Sequence, residues 1–239
     1  HEEIYRVMDL CISCKACKSE CPSNVDMAAL KAEFLQHYYD SHRIPFRSWL
    51  IAWLPVLNNI GKLFRPLTNR VISSALFKKI TGISLKRQLP LLSSVTLRKW
   101  MSGRKMHSEV PESGPAVLLF ADEFTNFNES DLGIKAILLL ERLGYRVSIP
   151  RHRESGRTFL SKGLLRKARS IAERNILLLK DLVSDTTPLV GIEPSAILAF
   201  RDEYPAMLRG GMKKDAERTG KNSLLFEEFI CREMDRGKI

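Results

Sequence analysis

Four cysteines fall within eleven residues, in the run Cys11-Ile-Ser-Cys14-Lys-Ala-Cys17-Lys-Ser-Glu-Cys21-Pro22. The spacing C-x2-C-x2-C-x3-C-P is that of bacterial [4Fe–4S] ligand runs. Three thiolates at intervals of three let a tight loop wrap one cubane, and the fourth points elsewhere. In two-cluster proteins that fourth cysteine serves the other cluster. The expectation is that Cys11, Cys14 and Cys17 hold one [4Fe–4S] cluster and that Cys21 belongs to a second. The partner run is absent from these residues and is expected upstream of His1, so the chain is read as a piece of a longer protein. Two alternatives stay open. Zinc favours two C-x2-C pairs set apart, and plain structural thiols need no metal. A redox C-x2-C does not need four cysteines. Lys15 and Lys18 beside the ligands offset a cluster's negative charge, form a docking rim, or are simply solvated.

The chain has 239 residues, 44% hydrophobic and 27% charged, the range of an ordinary globular protein that buries a core. A disulfide framework would spread its cysteines, whereas this cluster in a chain without a visible secretory signal argues for metal and a reducing, cytoplasmic setting. Cys231 stands alone and reads as a small buried apolar residue. The longest apolar run, Trp49 to Leu57, is nine residues with Pro55 inside it, short of the ~20 a spanning helix needs. The net charge of +11 is concentrated: residues 41–105 contain no Asp or Glu but carry thirteen Lys and Arg. Trp49, Trp53, Arg43 and Arg47 suit an interfacial helix, so this segment meets a membrane surface, an acidic redox partner, or only the neighbouring domain. No nucleic-acid fold signature is present.

Three parts follow: residues 1–40 with the half ferredoxin motif, a basic helical connector at 41–107, and an α/β domain at 108–239. A linker is expected at 108–115, SEVPESGP. Ser23 or Asn24 is expected to cap a helix after Pro22, with Met27, Leu30, Phe34 and Tyr38 on one face. Pro45 opens the connector and Pro55 should split its helix. Further helices are expected over 68–80 and 94–101. In the last part, strands are expected at 116–120, 145–149 and 189–192, with helices at 131–143, 162–180 and from Ser195. The overall class is α+β: a helical ferredoxin-like segment and connector, then a Rossmann-like α/β domain with a parallel sheet. Ligands in such sheets bind beyond the carboxyl ends of the strands, here 121–125, 150–158 and 193–195.

The segment CISCKACKSECPSNVDMAALKAEFL resembles the second ferredoxin motif in the C-terminal iron–sulfur portion of FAD-linked oxidoreductases. That family includes the iron–sulfur subunits of glycolate oxidase and anaerobic glycerol-3-phosphate dehydrogenase, and the long D-lactate dehydrogenases. Gly82-Ile83, Leu89-Pro90 and Arg98-Lys99-Trp100 are similar to the family's connecting stretch. Asp122 to Asn126, Gly156-Arg157-Thr158, Gly191-Ile192-Glu193-Pro194-Ser195 and Arg201-Asp202-Glu203-Tyr204-Pro205 resemble motifs of its cysteine-rich domain. Where that domain shows Cys-Cys-Gly this chain has Glu154-Ser155-Gly156, and Ala196 stands where it shows a further Cys. The resemblance therefore carries over the scaffold and not the thiol site.

The resemblance implies that a whole protein of this kind oxidises a 2-hydroxy acid at FAD, in a separate flavin domain or subunit, and passes electrons through two [4Fe–4S] clusters. This piece then holds part of the relay and no substrate chemistry; the other reading is a non-redox scaffold that retains the fold. Location is read as cytoplasmic, including the cytoplasmic membrane face. An anion- or ligand-binding loop is expected at Glu154, Ser155, Gly156 and Arg157 with Glu193 and Ser195, although Ser195 also suits a helix cap. His152, between Arg151 and Arg153, reads as a surface histidine.

Overall fold

The computed structural model describes residues 2–104 and 114–239. The expected linker and the 107/108 boundary fall outside the described residues except for Gly114 and Pro115. The N-terminal part contains α1 (Glu2–Asp9), α2 (Ala16–Glu20) and α3 (Met27–Ser41). The connector contains α4 (Phe46–Ala52), α5 (Leu54–Gly61), a 3₁₀ turn at Lys62–Phe64, α6 (Arg65–Ser73), α7 (Ala75–Ile80) and α8 (Leu97–Gly103). Then follow β1 (Ala116–Phe120), α9 (Glu123–Phe127), α10 (Ser130–Arg142), β2 (Arg146–Ser148), α11 (Arg157–Ser161), α12 (Leu165–Leu179) and β3 (Leu189–Gly191). The chain closes with α13 (Pro194–Ile197), a 3₁₀ turn at Leu198–Phe200, α14 (Glu203–Met207), α15 (Gly210–Lys221), β4 (Ser223–Leu225) and α16 (Phe226–Asp235).

The four strands form one parallel sheet in the order β2-β1-β3-β4. Its centre, β1, reads AVLLF without alternation because both faces are covered. Leu118 and Phe120 pack on one side with Ile176, Leu179, Ile197, Phe200 and Tyr204. Val117 and Leu119 pack on the other with Leu97, Ile137, Leu140, Val147 and Phe229. A third cluster joins the connector to this domain: Ala52 and Phe159 are buried with Leu164 and Ala168, and Trp53 meets the Phe159 ring edge-on at 5.3 Å.

Several sequence expectations change at the level of single residues. Asp26, not Ser23 or Asn24, caps α3, accepting from the Ala29 amide at 2.9 Å; Asn24 is instead a left-handed turn residue. The buried stripe of α3 is Ala28, Lys31, Ala32 and Leu35, and Leu30 is exposed. Pro55 does split its helix, since α4 ends at Ala52 and α5 restarts at Leu54. The 68–80 helix breaks at Ser74, whose hydroxyl caps α7. Gly163, at φ +72°, separates α11 from α12. The strand β4 was not expected; its three residues are too short to show a pattern.

Candidate functional site

Pro22 and three left-handed residues, Ser13, Lys15 and Asn24, fold residues 11–26 into a series of tight turns. Such φ values are uncommon outside glycine, and here they turn the backbone sharply between and just after the cysteines. Cys11 and Cys21 are half-buried while Cys14 and Cys17 are exposed. The amide of Cys21 donates to the Cys17 carbonyl at 3.0 Å. The buried Lys31 donates from α3 to the Cys11 carbonyl at 2.6 Å. The backbone amides of Val25, Ser23 and Asn24 face Cys21 and hold its thiol below the usual range, which favours a thiolate. Among the described residues, no three His, Cys, Asp or Glu side chains converge in a metal-binding group. The expected ligands Cys11, Cys14, Cys17 and Cys21 thus offer four thiols on a turned backbone and no converged site.

Lys15 and Lys18 are not simply solvated. Lys15 pairs with Asp202 and lies 2.9 Å from Glu203 and 3.7 Å from Asp26. Lys18 lies 2.9 Å from Asp202 and 3.6 Å from Asp26. Burial works to lower the Lys15 pKa, but the bonds to Asp202 and Glu203 outweigh it and the group is raised. Hydrogen bonding to Asp202 raises Lys18. Arg157 donates to Glu203 at 2.5 Å and to the Ser13 carbonyl at 3.4 Å. A cavity of about 300 Å³ lies between the cysteine loop, α3, α11, α12 and α14, lined in part by Ser13, Lys15, Arg157 and Glu203.

The strand order reverses between β1 and β3, and the carboxyl ends of these strands carry Asp122, Glu123 and Glu193. The expected ligand loop lies beside them, closed by internal bonds. Ser155 is buried, and its amide and hydroxyl donate to the two Glu123 carboxylate oxygens at 2.9 and 2.7 Å. Tyr204 donates to the Ser155 carbonyl at 2.8 Å, and Asn175 donates to Tyr204 and to the Glu154 carbonyl, both at 2.9 Å. Gly156 sits at φ +75°, ahead of α11. Arg157 is engaged with Glu203. Glu193, not Ser195, caps α13: the Ser195 amide and hydroxyl donate to it at 3.2 and 2.6 Å. The structure thus links Ser155 and Arg157 to α9 and α14, and leaves Glu193 and Ser195 as a local cap.

His152 is buried, not a surface residue. Its Nε2 accepts from the Ala121 amide at 3.1 Å, so Nδ1 carries the proton and donates to the Arg153 carbonyl at 2.6 Å. Burial and the Arg98 charge push its pKa down to about 3. Burial pushes Glu123 up to about 7, and burial also raises Asp122, whose carboxylate caps α9. Cys231 is exposed, contrary to its reading as a core residue. The connector is only partly packed on the α/β domain: Ile60, Leu63, Phe64, Leu67, Val71, Leu76 and Ile80 are exposed between its basic residues. No helix among the described residues is long and apolar enough to cross a membrane.

Fold and loop define a class: a helical cysteine module clasped to a parallel α/β domain. The chain is 30% identical over 219 residues to D-2-hydroxyglutarate dehydrogenase of Pantoea ananatis, covering 86% of this chain and 21% of that protein. It is 28% identical over 242 residues to D-2-hydroxyglutarate dehydrogenase of Escherichia coli, covering 96% of this chain and 23% of that protein. It is 30% identical over 216 residues to the protein of that name from Pseudomonas putida, covering 84% of this chain and 21% of that protein. The chain therefore spans about a fifth of the length of the curated relatives it matches. No protein-family model matches the chain. No solved structure matches it.

Proposed function

We propose that this chain is the electron-carrying portion of an FAD-linked oxidoreductase acting on a 2-hydroxy acid, D-2-hydroxyglutarate by the name its relatives bear. The observation that carries the reading is the C-x2-C-x2-C-x3-C-P run, set on a loop with left-handed Ser13 and Lys15. Cys11, Cys14, Cys17 and Cys21 are the residues that would hold [4Fe–4S] iron. When bound, such clusters accept and release single electrons, connecting a two-electron flavin to an acceptor. The chain's own part is to supply the four thiols, lower the Cys21 pKa through the facing amides of Val25, Ser23 and Asn24, and fasten the loop to a rigid sheet domain. FAD belongs to a separate domain or subunit in this reading. The exposed apolar and basic connector face is the surface assigned to that flavin-bearing partner, on the cytoplasmic side.

Anaerobic reconstitution of the full-length protein with iron and sulfide tests the proposal. Expected are a broad visible absorption from thiolate-to-iron charge transfer and a reductant-dependent EPR signal, both lost in Cys14→Ser. Stoichiometric zinc in anaerobically purified protein, with no iron uptake, would overturn it in favour of a structural metal.

A further inference from the structure

The α/β domain has lost the cysteines of the family it resembles, yet its loops are not idle: they hold the cysteine loop in place. We propose that Asp202, Glu203 and Arg157 are positioning residues, an ionic clamp that seats residues 11–21 on the sheet domain. The role given to the seated loop rests on the iron–sulfur reading above; the clamp itself does not.

Three cations face three carboxylates across this contact. Lys15 and Lys18 come from the loop, Arg157 from α11, Asp26 from the α3 cap, and Asp202 and Glu203 from the start of α14. Glu203 joins the two sides, since it binds Lys15 at 2.9 Å and Arg157 at 2.5 Å. Arg157 also reaches the Ser13 carbonyl at 3.4 Å, next to Cys14. Lys15 is one of the left-handed residues that shape the loop, so its ammonium and its backbone are constrained together. On the opposite side Lys31 pins the Cys11 carbonyl. The loop is thus fixed at Cys11, Ser13, Lys15 and Lys18, that is, between and beside the ligands. Long-range pairs of this kind, 187 residues apart for Lys15 and Asp202, are partly desolvated and couple more strongly than exposed surface pairs. Holding ligand side chains from a neighbouring rigid layer is what keeps a metal site within productive geometry. Because the lysines are neutralised within the clamp, they do not form a free docking rim.

Hydrogen exchange on the whole iron-free, reduced chain reads the clamp directly. Asp202→Asn with Glu203→Gln is expected to speed exchange across residues 11–21 on the order of ten-fold, the size of coupling seen for contacting charged pairs, while β1 amides stay as protected as in the parent. Lys15→Met combined with Glu203→Gln should fall short of the sum of the two single effects, since both remove the shared Lys15–Glu203 contact. Unchanged exchange at 11–21 in variants with a protected β1, or strictly additive effects, would overturn the clamp. A variant that loses β1 protection is replaced by Lys18→Met, which leaves the sheet domain untouched and is held to the same criterion. If the full-length protein takes up no iron but the variants loosen the loop, the electron-transfer reading fails and the clamp stands.

Discussion

Glu123 and His152 titrate in opposite senses within one buried corner. Burial raises Glu123 from 4.5 to about 7. A carboxyl raised in the fold contributes stability that is complete below about pH 4.5 and is lost as pH rises through about 7. His152 is depressed from 6.5 to about 3, so its contribution is complete above about pH 6.5 and is lost as pH falls toward 3. Between about pH 4.5 and 6.5 the two effects oppose each other. Glu123→Gln should therefore expose the His152 slope, with the melting temperature rising steadily with pH across that window. A melting profile parallel to that of the parent would refute this. The same variant lowers overall stability, because an amide nitrogen cannot accept from Ser155. Tyr204→Phe removes the hydroxyl that joins Asn175 to the Ser155 carbonyl; leaving a buried polar group unpaired costs about 1–3 kcal/mol, measurable by urea denaturation. Neither His152 nor Ser155 could be placed from sequence, because polarity alone predicts exposure and their burial is satisfied by long-range partners 31 to 49 residues away.

At the scale of elements, periodicity and punctuation carried most of the information. AVLLF gave β1 with its observed ends, Gly144 at φ +86° closes α10, and Pro55 divides α4 from α5. Misplacements occurred where a local competitor was stronger: Asp26 displaced Ser23 as the α3 cap, Ser74 cut the expected 68–80 helix into two, and Gly163 delayed the start of the expected 162–180 helix to Leu165. Gly163 also brings α3 against the turn between α11 and α12, where an added Cβ would lie 2.2 Å from Leu35 Cβ. Gly163→Ala combines that overlap with a left-handed φ and should cost roughly 2 kcal/mol or more, with hydrogen exchange rising in both α3 and α12. On the connector, Phe64 and Leu67 are 67% and 62% exposed. Phe64→Glu with Leu67→Glu should change stability by less than about 1 kcal/mol, as exposed substitutions do, while weakening association with a flavin-bearing partner in a pull-down. A large loss of stability would show that this face packs within the chain itself.

The whole molecule is joined by two kinds of contact: the apolar wedge of Trp53, Ala52 and Phe159, and the ionic clamp around Glu203. Phe159→Ala should cost about 3–5 kcal/mol and release α4 preferentially, read as faster amide exchange in residues 46–52 with β1 still protected. Equal loss of protection in α4 and β1 would instead make the wedge part of a single indivisible core. The sequence by itself determined the cysteine spacing, the all-apolar central strand and the carboxylate-free connector, because each is a local pattern written in consecutive residues. Only the tertiary structure decided that Lys15 answers to Asp202 and Glu203, that His152 is neutral and buried, that Glu193 caps the helix at Ser195, and that β4 completes the sheet. Those outcomes depend on which distant groups share a low-dielectric space, and the order of residues along a chain does not specify that until its layers have packed.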